Sequence, residues 1–347
     1  MSPPVQARRA FRLALTTALA LAVAYAMALP MAFLAPLLAF MFASPPGRPI
    51  GLKGLVGLIA VVCVTLGIGL LMIPALSHYP VTAVLVVALG LYAGNYLMVI
   101  RGKALVGAML ALGFTLIPAA GTIDFGLSVA VIQGMVIGIG LAILSHWIVY
   151  PLFPEDEIGP APEKPPGAEL SRWIALRATL VVLPPFVLCL TNPTTYMPLI
   201  MKSLLLGQQA SVVHARSAGR ELLGSTFLAG CYAAGFWFLL KLVPNLWMFF
   251  LWMLLFGVHF AARLYGIVPT RFPPSFWSNV VVTMLILVGP AVADSANGKD
   301  PYKAFAVRMA LFIAVTLYAW AAVAVLEWVE SRLEGRRAPP LSAAESA

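Results

Sequence analysis

Residues 54–74 read GLVGLIAVVCVTLGIGLLMIP, a stretch without a single charged side chain. Wound as a helix it rises about 30 Å at 1.5 Å per residue, the depth of a bilayer's hydrocarbon core. The run is continuously apolar and shows no period-2 alternation, which excludes a strand of a closed barrel. Lys53 stands immediately before it and His78 shortly after, so its polar flanks are abrupt.

Outward from this run the same pattern recurs. Apolar runs occupy 12–29, 31–43, 54–74, 81–100, 104–120, 126–150, 172–190, 195–207, 221–241, 245–264, 276–293 and 303–328. Across all 347 residues 61% are hydrophobic and only 10% charged, with a mean hydropathy of +0.95. Soluble domains carry about 25% charged residues, so this chain needs lipid as part of its solvent. Soluble enzymes, nucleic-acid binders and secreted disulfide scaffolds are excluded. The expected fold is an all-α integral membrane protein with about 12 hydrophobic segments, of which 10–12 span. Segments 31–43 and 195–207 are the doubtful ones, since thirteen residues rise only about 20 Å.

The net charge of +9 reads as a topology signal. If the segments alternate from a cytoplasmic N-terminus, all Lys and Arg except Lys241, Lys299, Lys303 and Arg308 fall on the inner side. That bias follows the positive-inside rule and expects both termini in the cytoplasm. Arg8, Arg9 and Arg12 before an apolar run mimic a signal peptide, but a similar segment recurs later, so no cleavage is expected.

The recurrence is general. RRAFRLALTTALAL from Arg8 resembles RWIALRATLVVLP from Arg172, placing Arg12 opposite Arg177. GLKGLVG from Gly51 resembles AGRELLG from Ala218, and FTLIPAAGTID from Phe114 resembles ILVGPAVADSA from Ile286, placing Pro118 opposite Pro290. IQGMVIGIGLAI from Ile132 resembles VRMALFIAVTLY from Val307, placing Gln133 opposite Arg308. Two parallel six-segment repeats follow, because an even number of crossings returns the chain to its starting side. The expected divisions are 1–150 for the first repeat, 151–170 for a Pro- and acid-rich cytoplasmic linker, 171–330 for the second repeat, and 331–347 for a disordered cytoplasmic tail.

No catalytic motif occurs, neither a nucleophile elbow nor a phosphate loop nor a zinc-protease pair, so the chain is read as no enzyme and without cofactor or metal. Cys63, Cys189 and Cys231 sit in apolar runs and read as buried thiols; Gly90/Gly94 and Gly134/Gly138 read as close-packing sites between helices. Polar groups inside the runs carry more information, since lipid penalises them. Asn95, Gln133, Lys202, Asn279 and Arg308 qualify. Arg308, Lys202, Gln133 and Asn95 are candidates for binding a small anionic solute on an interior path. For the two cations the competing reading is that each snorkels to its nearer interface. Acids cluster at segment ends, which leaves His259 as the proton-relay candidate, with a packed interfacial histidine as the alternative.

The opening RRAFRLALTTALALAVAYAMALPMAFLAPLLAFMF (8–42) and PGRPIGLKGLVGLIAVVCVTLGIGLL (46–71) resembles the fusaric acid resistance (FUSC) and aromatic acid exporter superfamily. Arg12 and the Arg48/Lys53 loop are the matching features, and the likeness is best over the first 75 or so residues. It implies a multi-pass protein of the bacterial inner membrane that exports small organic, chiefly aromatic, acids or related toxic compounds. It implies membrane lipid and a small anionic solute as partners, with a periplasmic membrane-fusion adaptor and a homo-oligomer as further candidates and no nucleic acid. The chain departs from long family members in lacking a large cytosolic domain and resembles the compact branch. The rival class is a non-transporting membrane scaffold or anchor for a partner protein. Any solute path is expected between the two repeats.

Overall fold

The computed structural model describes residues 4–155, 168–210, 219–296, 298 and 300–337. Twelve α-helices fill these residues: α1 (Val5–Ala26), α2 (Leu34–Ala43), α3 (Leu52–His78), α4 (Pro80–Arg101), α5 (Ala104–Gly121), α6 (Phe125–Val149), α7 (Ala168–Thr191), α8 (Pro193–Ala210), α9 (Gly224–Leu242), α10 (Leu246–Leu264), α11 (Pro274–Ala296) and α12 (Pro301–Arg337). Each matches one apolar run, and ten of them contain a stretch long and apolar enough to cross a membrane. The bundle's outer surface is itself apolar: Val64, Leu71, Leu85, Leu89, Phe238 and Trp247 are all exposed. In water such a surface would aggregate; in lipid it is the required solvent contact. The chain is an all-α, multi-pass membrane protein.

Contacts between helix ends define two sides. Arg9 and Arg12 at the start of α1 pair with Glu155 beyond α6, while Trp147 near the end of α6 donates to Ile50 O before α3 at 2.7 Å. Tyr265 after α10 donates to Ser44 O after α2 at 2.8 Å. These ends therefore share one side. On the other, Tyr25 at the end of α1 stacks edge-on against Phe249 at the start of α10, with ring centroids 4.8 Å apart. Were the ten-residue α2 not to carry the chain back, the end of α6 would lie opposite the start of α1. At about 15 Å of helical rise it is short, yet it restores the parity.

Packing repeats between the halves. In the first half α1 meets α2 and α6, α3 meets α4, α5 and α6, α4 meets α5, α5 meets α6, and α2 meets α6. The second half makes each corresponding contact, from α7 with α8 and α12 through α8 with α12. Contacts between halves are reciprocal too: α1 packs on α10 as α7 packs on α4, and α2 packs on α11 as α8 packs on α5. The chain is a pseudo-two-fold arrangement of six-helix units that start on the same side.

Both units tie the start of their first helix to the end of their last through an Arg–Glu pair. In the first, Arg12 Nη2 lies 2.5 Å from Glu155 Oε2 and Nη1 donates to Phe153 O at 3.1 Å; Arg9 holds the other carboxylate oxygen. In the second, Arg177 Nη1 lies 3.2 Å from Glu327 Oε1. The first five residues of the expected linker are thus clamped to α1 rather than free, and α7 begins at Ala168; residues 156–167 lie outside the described residues. Likewise α12 continues to Arg337, into the expected tail, of which 338–347 lie outside the described residues. Among the cysteines only Cys189 is buried; Cys63 and Cys231 face outward, which corrects the reading of all three as buried.

Small residues let helices touch at the backbone. Gly113 of α5 lies against the Thr65 carbonyl of α3, and Gly94 of α4 against the Gly107 carbonyl of α5. Gly134 and Gly138 pack on the entry and body of α2. A Cβ on Gly113 would overlap Thr65 O, so Gly113→Val is expected to cost upwards of about 1–3 kcal/mol. Melting in detergent should fall sharply for Gly113→Val and stay near wild type for Gly140→Val, whose added Cβ meets nothing within 4 Å. A second prediction concerns Glu155. Burial opposes its charge, but hydrogen bonds and charge from Arg9 and Arg12 outweigh this and hold its carboxyl below the usual range. A carboxyl so lowered stabilises the fold at neutral pH, and this is lost as the pH falls from the ordinary carboxylate value through the lowered one. Glu155→Gln should melt lower at pH 7 and lose less on acidification between roughly pH 5 and 3.

Candidate functional site

A cavity of about 540 Å³ lies between the two six-helix units. From the first unit come Tyr25 of α1 and Ala28, Met31 and Phe33 of the α1–α2 connection, with Leu116 and Val131 behind them. The second unit supplies Met197, Pro198 and Met201 of α8, then Ile286, Gly289 and Pro290 of α11. Every one of these side chains is uncharged, and all but the Tyr25 hydroxyl are apolar. The volume falls within the range of about 300–1,000 Å³ that small-molecule sites occupy.

The cavity exists because the units are not identical here. In the second unit α7 and α8 are separated by Asn192 alone, which caps the new helix by accepting from Thr195 N at 3.3 Å. In the first, residues 27–33 form an irregular turn before α2. Ala28 (φ 47°) and Met31 (φ 56°) there adopt the left-handed conformation that β-carbon sterics disfavour. Both line the cavity. Non-glycine residues held this way store strain, and such strain gathers at binding sites.

One helical turn inward lies a buried polar cluster built around Lys202. Its amino group is completely enclosed, with Nζ donating to Thr283 Oγ1 at 2.9 Å and to Asn279 Oδ1 at 3.3 Å. Asn279 Nδ2 donates to Ser225 Oγ at 2.5 Å, and Ser225 passes its own proton to main-chain oxygens of Glu221 and Leu222. That chain fixes the Asn279 amide with its oxygen toward Lys202. No carboxylate among the described residues lies within ion-pair distance of Nζ. Asn279, Thr283, Ile286, Pro290 and Ala293 fall at spacings of four and three along α11, one face of a helix. On α8, Pro198 and Lys202 are likewise one turn apart. The polar cluster is therefore the inward continuation of the cavity wall.

The other candidates are placed elsewhere. Arg308 does not stand as an interior cation: Nη2 lies 2.5 Å from Asp294 Oδ2, and the two ends of α11 and α12 are tied by this pair. Gln133 faces outward from α6 rather than into a path, since its position on the helix turns it to the exposed surface. Asn95 is buried and donates to Thr179 Oγ1 at 3.2 Å, joining α4 to α7 across the units. The His259 ring is within reach of the Tyr232 hydroxyl (2.7 Å) and of Arg263 Nη1 (2.8 Å), and it does not line the cavity. Lys202 is brought to the cavity's edge, and it does not snorkel to an interface. Thr283 and Ser225 were missed from sequence; the Asn279/Thr283 spacing was the available signal for the first.

A family model described as a protein of unknown function (DUF2955) matches residues 9–149, which is α1 through α6, one six-helix unit. No curated protein and no solved structure matches the chain.

The cluster predicts an asymmetry between partners. Lys202→Met replaces an enclosed amino group by an apolar chain of similar length, which buried sites tolerate or favour. Its melting temperature in detergent should match or exceed wild type. Asn279→Ala takes one acceptor from Lys202 and the donor from Ser225 and should cost about 1–3 kcal/mol, seen as a clear drop in the same melt.

Proposed function

We propose that this protein is a carrier that exports small organic acids, aromatic ones among them, across the bacterial inner membrane, with both termini in the cytoplasm. The observation that carries this reading is the cavity between the two units, with an enclosed lysine one turn below its floor. An apolar body finds methionine and aromatic walls there, and a carboxylate at the inner end finds a cation that offsets its lost hydration. The lining itself holds no charge, so the acid group is read as pointing inward, toward Lys202. The interface of two repeats is where repeat-built carriers place their solutes, and rocking of one unit against the other exposes such a site to each side in turn. The basic helix ends, among them Arg8, Arg9, Arg48, Lys53, Arg101 and Lys103, lie on the shared side of α1 and α6 and support its assignment to the cytoplasm. The likeness of residues 8–71 to the fusaric acid resistance superfamily points the same way.

Deleting the gene should raise sensitivity to benzoate and related acids several-fold and slow their efflux from loaded cells. Complementation with Met201→Trp, which fills the cavity, should fail although the variant reaches the membrane at normal levels. Val64→Trp, on the exposed face of α3, should complement. Unchanged sensitivity and efflux in the deletion strain would favour the non-transporting scaffold instead.

A further inference from the structure

The acid-paired cations of the described helices invite comparison with Lys202. Arg9 and Arg12 share Glu155, Arg177 has Glu327, and Arg308 has Asp294. Lys202 is the most enclosed and has only neutral oxygens. An ammonium removed from water without a counter-charge is strongly disfavoured, whereas the free amine keeps hydrogen-bond partners in this cage. Nζ can donate to Asn279 Oδ1 while the Thr283 hydroxyl, 2.9 Å away, turns from Asn279 Oδ1 to donate into the nitrogen lone pair. With a proton added, the same hydroxyl turns to accept. The cage serves both forms.

We infer that Lys202 is the carrier's proton-binding group, taking up one proton as an anionic solute enters the cavity and releasing it as the solute leaves. This rests on the reading of the cavity as the solute site. The proton comes from water and forms a new N–H bond on the Nζ lone pair; the solute remains an anion and supplies the missing counter-charge. Loaded and empty carriers then hold the same net charge in the membrane, and each cycle moves one anion with one proton. Among the described residues no other group around Nζ is arranged for the task. Around α8, α5 has no titratable side chain, and α7 offers the buried Cys189 thiol and Arg177, which is paired. On α12, Tyr318 donates to Leu180 O at 2.6 Å, and Arg308 and Glu327 are paired. On α11 Asp294 is held by Arg308, and α8 itself adds only Tyr196. Glu221, before α9, touches the cluster through its main-chain oxygen.

Calorimetry of benzoate and octanoate binding to the purified full-length protein, in two buffers of different ionisation enthalpy, tests this directly. The expected result is uptake of about one proton per solute bound, with affinity falling as the pH rises, by at most roughly tenfold per unit. Lys202→Arg, whose guanidinium keeps its proton, should bind with no net proton uptake and little dependence on pH. Binding by wild type without proton uptake would overturn the inference and leave the carrier reading intact. Uptake that persists in Lys202→Arg would also overturn it, by assigning the proton elsewhere. Absence of binding for both solutes would count against the carrier reading itself, and the inference would fall with it.

Discussion

Two reciprocal helix contacts, α1 on α10 and α7 on α4, bind one six-helix unit to the other. Each unit alone would expose the faces that these contacts cover, and lipid offers no hydrophobic drive to hide them. Association must come from close packing and from polar links. Both are present: Gly257 of α10 meets the Ala14 backbone of α1, and Asn95 of α4 bonds Thr179 of α7. Because the contacts are related by the pseudo-two-fold, they brace the assembly on two flanks and leave the region between them to the shorter helices. There α2 and α8 face α11 and α5, and the cavity forms.

Symmetry sets this frame and its breaking makes the site. Had residues 27–33 been helical like the start of α8, the first unit would have filled the gap it shares with α11. Instead the chain turns through Ala28 and Met31 in a conformation their side chains disfavour. Phe33 comes to rest against Gly289, where any larger residue would collide with its ring. The second unit answers with polarity: Lys202, Asn279, Thr283 and Ser225 all belong to it. A solute between the units would therefore meet an apolar wall from one and, beneath the lining, a polar cluster from the other.

Much of the fold was legible in the sequence because lipid imposes a simple code. Twelve apolar runs became twelve helices, and the glycine pairs Gly90/Gly94 and Gly134/Gly138 became close contacts. The repeat was readable through Arg12 and Arg177, although their partners were not: Glu155 looked like part of a solvated linker, and Glu327 like an ordinary helix-end acid. The site was less legible. Polar residues in apolar runs stand out one at a time, but their pairing is a property of distant elements. Arg308 meets Asp294 fourteen residues away, whereas Lys202 meets Asn279 and Thr283 from another helix and finds no acid. The cavity wall is written in methionine, proline and phenylalanine, residues indistinguishable in sequence from those that face lipid.

The central claim is that the two units move against one another around a solute held between them. Spin labels at Ala28 and Ala293, on opposite walls of the cavity, report that motion as a distance distribution in lipid nanodiscs. The account predicts two populations in the empty protein, with benzoate shifting their ratio and Met201→Trp abolishing the shift. A single distance, unchanged by benzoate or octanoate, would contradict it.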